Sequence, residues 1–118
     1  KVNQVFMNIL NNAAQATLAR ADGRPRVVEV TTVAEVDQVH VQIRDTGVGM
    51  TEEVKARIFD PFFTTKPVGE GTGLGLAIVY GIINDLGGEV FVESEPGVGS
   101  TFRISLPVHQ INRDQKRA

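Results

Sequence analysis

Apolar residues recur at helical spacing from the start of the chain. Val2, Val5, Phe6, Ile9, Leu10, Ala13 and Thr17 share one face and predict a helix over residues 2–21. Asp22-Gly23 stops it and Pro25 follows. The opposite face carries Gln4, Asn8, Asn11, Asn12 and Gln15, with no charge in mid-helix, which is unusual for a plain solvent face. The period then changes to two. Residues 26–34 and 38–45 predict two strands joined near Glu35-Val36-Asp37, and the second alternates Val39, Val41 and Ile43 against His40, Gln42 and Arg44. Residues 51–59 suit a short helix with Thr51 as N-cap and Glu52 and Glu53 in its first turn. Residues 60–72 show no period and predict a loop, and residues 73–86 a helix ended by Gly87-Gly88. Residues 89–94 and 100–107 predict a second hairpin around Pro96-Gly97-Val98-Gly99, its last strand alternating Phe102, Ile104 and Leu106 against Arg103 and Ser105.

Each clearly patterned strand has one apolar and one polar face, which suits a sheet covered on one side only. The fold class this predicts is α/β: a two-layer sandwich with a mixed, mostly antiparallel sheet under helices on one face. A length of 118 residues with 42% apolar positions suits one domain with one core. Residues 1–108 form that domain, and the polar stretch 109–118 reads as a tail. Lys1 is not Met and the helical pattern begins almost at once, so a piece cut from a longer chain is expected. The net charge of −2 gives no reason to expect nucleic acid or direct contact with an anionic membrane. With no cysteine there is no disulfide, thiolate chemistry or Cys-type zinc site.

Two glycine-rich turns carry the candidate chemistry. The first is Asp45-Thr46-Gly47-Val48-Gly49. Strand parity puts Asp45 on the covered face with Val41 and Ile43, where a carboxylate needs a partner. An adenine amino group is one such partner, and Gly47 and Gly49 would let the backbone pass close to a flat ring. The same letters also describe a turn that merely ends a strand. The second, Gly71-Thr72-Gly73-Leu74-Gly75-Leu76, opens a helix and offers free N–H groups and a dipole end to an anion. It lacks the lysine of a P-loop and does not directly follow a strand, so it is neither a Walker nor a Rossmann motif. Asn8 and Asn12 stand one helical turn apart, and a side-chain amide oxygen can ligate Mg²⁺ where phosphates supply the other oxygens. Ser100 shares parity with Phe102 and faces the same side as Asp45. Phe59, Phe62 and Phe63 precede Lys66 in the loop; core anchoring suits Phe59, while Phe62 and Phe63 suit either a lid or a partner contact.

Taken in order, these parts resemble the catalytic ATP-binding domain of bacterial sensor histidine kinases. The matching motifs are an N box (Asn8 to Ala13), a first glycine box (Asp45 to Gly49), an F box (Phe59 to Phe63), a second glycine box (Gly71 to Leu76) and a third (Gly97 to Ser100). Five motifs in sequence over residues 2–107 make the resemblance specific where each alone is not.

The resemblance implies the Bergerat fold shared with gyrase, Hsp90 and MutL-type ATPases, and the cofactors ATP and Mg²⁺. It implies that Asp45 binds the adenine amino group, that Asn12 ligates Mg²⁺, and that Asn8 and Gln15 line the phosphate side. Gly47, Gly49, Thr72, Gly73, Leu74, Gly75, Leu76 and Ser100 would complete the ATP site. Residues 60–72 would form a lid, with Phe59, Phe62, Phe63 and Lys66 at the lid or partner surface. The ATPase branches carry Glu where this chain has Asn8. An amide cannot act as general base, which favours transfer to a nitrogen nucleophile over hydrolysis. The implied activity is therefore γ-phosphoryl transfer to a histidine on a separate dimerisation and phosphoacceptor domain of the same protein, with a response regulator downstream. The domain would be cytoplasmic, within a parent that can be membrane-anchored. His40 and His109 lack the acceptor context and read as surface histidines. A binding module without transfer activity and a gyrase-like ATPase are the competing readings.

Overall fold

A computed structural model of the chain describes residues 2–64 and 74–107. The elements run α1 (Val2–Leu18), β1 (Val28–Ala34), β2 (Gln38–Asp45), α2 (Glu52–Lys55), α3 (Gly75–Asp85), β3 (Glu89–Glu95) and β4 (Gly99–Pro107). The two predicted hairpins form and join through β2 and β4, giving a four-stranded sheet of order β1-β2-β4-β3. All three strand pairings are antiparallel, so the mixed sheet expected from the sequence is purely antiparallel among the described residues.

The period-two pattern of β2 and β4 meets the helical stripes of α1 and α3 in one core. Val5, Ile9 and Ala13 of α1, Val79 and Ile83 of α3, Val41 and Ile43 of β2, and Phe102 and Ile104 of β4 are all buried, with Ile58 closing one side. The other sheet face is polar and open, and carries ion pairs such as Arg44 with Glu29 and Arg103 with Glu93. His40 lies there, between Ser105 Oγ at 2.9 Å and Glu35 Oε1 at 2.6 Å, in keeping with a surface role.

Three elements differ from the sequence pattern for identifiable reasons. α1 ends at Leu18 rather than residue 21, because the chain tightens (Arg20 N–H to the Thr17 carbonyl, 3.2 Å) and the Arg20 side chain turns inward. The helix predicted over 51–59 is regular only at Glu52–Lys55. Thr51 caps it as expected, accepting from Val54 N–H at 3.2 Å. Beyond it three-residue turns take over (Arg57 N–H to Val54 O, 2.9 Å; Asp60 N–H to Arg57 O, 3.0 Å), so that Ile58 enters the core while Phe59 stacks on Tyr80 with ring centroids 5.3 Å apart. β1 is an edge strand, and all seven of its residues are exposed.

An apolar groove of about 450 Å³ runs beside β1, lined by residues including Phe6, Val30, Val39 and Leu106. It lies toward the end of β2 opposite Asp45 and has almost no polar lining, so it is separate from the candidate chemistry.

Candidate nucleotide site

The site is built where α1, the end of β2 and the start of β4 converge. Asp45 is the last residue of β2 and pairs in register with Ser100 of β4. It is only 4% exposed, as strand parity required. One carboxylate oxygen accepts from the Gly47 N–H at 2.9 Å, which curls the turn back under the side chain. Burial pushes the Asp45 carboxyl above its ordinary value. Hydrogen bonds from the Gly47 and Ser100 backbone, and the nearby Arg44 charge, pull the other way without overcoming it. A buried carboxylate held this way is ready for a further donor.

The glycines of the first turn have a cause that the sequence did not suggest. A Cβ on Gly47 would stand 2.6 Å from Ala16, and one on Gly49, at φ +70°, would stand 2.0 Å from the Glu95 carbonyl oxygen. Gly99, at φ +140°, lies as close to the Asp45 carbonyl oxygen, at 2.0 Å. These glycines let α1, the 45–49 turn and the β3–β4 hairpin touch backbone to backbone. The expected approach of a flat ring is not needed to explain them. Gly75, by contrast, has nothing within 4 Å of where its Cβ would be, so packing among the described residues gives no reason for a glycine there.

The amide face of α1 turns toward α3. Asn8 Nδ2 donates to the Gly75 carbonyl at 3.1 Å, tying the N box to the first residue of α3. Asn12 is half-buried one turn later and has no protein hydrogen bond among the described residues. Gln15 continues the face and is exposed. At the N-cap position of α3 the apolar Leu74 side chain supplies no capping hydrogen bond.

Ser100 is buried and hydrogen-bonds Ser94 Oγ at 2.7 Å. Ser94 Oγ also donates to Gly99 O at 3.1 Å and accepts from Met50 N–H at 2.8 Å, so the serine pair fastens the hairpin to the segment after the glycine turn. Of the F-box residues, Phe59 packs against the core as expected. Phe63 is half-buried with the Arg57 guanidinium 4.6 Å above its ring. Phe62 is 72% exposed and sits at φ +68°, a backbone conformation unfavourable for a bulky side chain. Lys66, Thr72 and Gly73 lie outside the described residues, as do most of the expected lid and the 109–118 tail.

Sequence reasoning missed three participants. Thr46 Oγ1 donates to Pro25 O at 3.0 Å and accepts from Val27 N–H at 2.9 Å, anchoring the turn beside β1. Ser94 was legible in principle, because it lies opposite Ser100 across the hairpin. Arg20 is only 7% exposed and bonds the Thr46 carbonyl; nothing in its polar sequence neighbourhood marked it.

With the fold and site in place, the chain belongs to the histidine kinase-, DNA gyrase B- and HSP90-like ATPase family, whose model matches residues 1–110. Within that family its similarities run to sensor kinases. It is 45% identical to sporulation kinase E of Bacillus subtilis over 99% of this chain and 15% of that protein. It is 40% identical to the sensor histidine kinase ZraS of Escherichia coli over 97% of this chain and 23% of that protein. The chain thus spans less than a quarter of these curated relatives. Among solved structures, it matches the nucleotide-free catalytic domain of the histidine kinase ThkA with a TM-score of 0.72 at 36% identity, covering 90% of this chain and 65% of that one. It also matches full-length ShkA in complex with AMPPNP, at a TM-score of 0.75 and 34% identity, covering 90% of this chain and 21% of that one. The Bergerat fold and the ATP-binding catalytic domain expected from the motifs are therefore present.

Proposed function

We propose that this chain binds Mg·ATP and donates its γ-phosphoryl group to a histidine on a separate helical domain of the same protein, which then passes it to a response regulator. The observation that carries the reading is the buried Asp45 carboxylate, held by the Gly47 N–H at the end of β2. Asp45 accepts the adenine amino hydrogen, a contact that guanine, with a carbonyl in that place, does not offer. The N-terminus of α3 faces the phosphates, and the missing side chain of Gly75 leaves room for them.

The donor set fits Mg²⁺ of the kind that keeps most of its ligands from phosphate and water. Among the described residues Asn12 makes no protein hydrogen bond, and they hold no group of three or more His, Asp or Glu that would cage a metal. When bound, Mg²⁺ supplies charge neutralisation at the phosphates. Asn8 donates one amide hydrogen to the Gly75 carbonyl and, as an amide, has no basic oxygen to take a proton. The reading therefore calls for a nucleophile that attacks without giving a proton to this residue, as a neutral imidazole nitrogen can. Phe62, exposed beside the lid segment, belongs to the surface that meets the phosphoacceptor helices. No helix among the described residues is long and apolar enough to cross a membrane, and the domain works in the cytoplasm, where ATP is.

The test mixes the chain with the parent protein's own histidine-bearing hairpin, Mg²⁺ and γ-labelled ATP. Acid-labile label on the hairpin, lost in Asn12→Ala, supports the reading. Steady phosphate release without transfer would make the chain an ATPase, and binding without either a docking module.

A further inference from the structure

Arg20 is a buried cation that the proposed chemistry does not use. It stands two residues beyond α1, yet its guanidinium reaches three separate parts of the chain. Nη1 donates to the Thr46 carbonyl, Nε lies 3.0 Å from both carboxylate oxygens of Asp22, and Nη2 lies 3.4 Å from the Gly97 carbonyl. The surroundings reinforce it. Arg24 also donates to Asp22, at 2.8 Å, and to the Gly97 carbonyl, while Arg26 donates to the Arg20 carbonyl at 2.8 Å.

Burying a guanidinium is costly unless its donors are met. Here the acceptors flank the base-binding carboxylate. Thr46 directly follows Asp45, and Gly97 sits in the hairpin turn that carries Ser94 and Ser100. Only a planar fork with several fixed donors reaches two carbonyls and a carboxylate at once; the point charge of a lysine does not.

We propose that Arg20 is a positioning residue for base recognition, locking the Asp45–Gly49 turn to the Gly97 turn so that the Asp45 carboxylate keeps the angle that reads an adenine amino group. The proposal rests on the ATP reading of the site. Arg20 does not touch the nucleotide in this scheme. It acts through the Thr46 carbonyl on the residue that does.

The test compares the full chain with Arg20→Lys and Asp22→Asn, measuring ATP and GTP affinity by calorimetry and amide hydrogen exchange without nucleotide. In Arg20→Lys, ATP affinity should fall about tenfold while GTP affinity moves less than about threefold, so the preference for adenine drops. The Gly47 N–H, which is bonded to Asp45, should exchange faster while Ile43 and Ile104 keep their protection. Asp22→Asn, which removes the partner carboxylate at the more exposed end of the cluster, should shift the same readouts less, and it carries the test if the lysine variant does not fold. Unchanged ATP affinity and base preference would overturn the proposal. So would an equal loss of both nucleotides with faster exchange throughout, which would make Arg20 a residue of general stability. If the wild-type chain binds neither nucleotide, the ATP reading fails on its own. Gly47 exchange then still decides the clamp, because unaltered protection in Arg20→Lys would refute it.

Discussion

Replacing Gly49 with alanine should damage the fold, whereas the same change at Gly75 should damage only the site. At Gly49 the new Cβ would stand 2.0 Å from the Glu95 carbonyl oxygen and 2.7 Å from its carbon, both backbone atoms with no rotamer to escape into. The left-handed φ of +70° adds about 1 kcal/mol for any residue with a Cβ. Relief requires the 45–49 turn and the end of β3 to part by about 1 Å or more. Two hydrogen bonds span that seam, Gly97 N–H to Val48 O and Met50 N–H to Ser94 Oγ, each 2.8 Å long. Losing buried bonds of this kind costs about 1–2 kcal/mol each. Gly49→Ala should therefore lose about 3–5 kcal/mol, a large share of the roughly 5–15 kcal/mol typical of a domain. At Gly75 nothing among the described residues lies within 4 Å of a new Cβ and the residue is helical, so alanine should leave stability unchanged or raise it by up to about 1 kcal/mol. Its methyl group should still weaken ATP binding by crowding the phosphates. Urea denaturation followed by circular dichroism gives both stabilities, and calorimetric titration gives the affinity. A Gly49→Ala chain within 1 kcal/mol of wild type would refute the close-approach reasoning, and a Gly75→Ala chain that binds ATP normally would remove the phosphates from the start of α3.

Asp45→Asn keeps an acceptor for the Gly47 N–H but presents an amide hydrogen or a weaker acceptor to the base, so ATP affinity should drop roughly 10- to 100-fold by titration, the worth of a charge-assisted bond. The same variant should be at least as stable as wild type at neutral pH. Burial raises the Asp45 pKa above its ordinary 3.8, so its favourable contribution is complete below that value and is lost as pH rises through the folded-state pKa. Urea midpoints measured from acid to neutral pH should show wild type losing ground to Asp45→Asn as pH rises; parallel curves would contradict the desolvation argument. Asn8→Asp cannot donate to the Gly75 carbonyl and sets two acceptors 3.1 Å apart, so it should lose about 1–3 kcal/mol of stability, with Asn8→Ala losing less.

Much of this protein was legible in one dimension. The stripe of Val5, Ile9 and Ala13 and the alternation of Val41 and Ile43 with polar neighbours set helix and strand by their own periods, because a buried face must repeat at the pitch of its element. The same parity placed Asp45 and Ser100 on the covered face before any contact was known, and the order of five glycine, asparagine and phenylalanine motifs pointed to the family. Boundaries were less legible, since α1 and α2 end where side chains of Arg20 and Ile58 are drawn into the structure, and that pull comes from residues far along the chain.

Tertiary structure decided what the motifs are made of. Gly47, Gly49 and Gly99 look like ligand-facing glycines in sequence, yet each is required by the backbone of another segment: Ala16, Glu95 and Asp45. Arg20 has a local partner in Asp22, but its links to Thr46 and Gly97, 26 and 77 residues away, leave no mark in the sequence. Periodicity records which way a side chain points. The close approach of two backbones, or a buried charge shared among three turns, exists only once the chain has folded and brought those segments within a few ångströms.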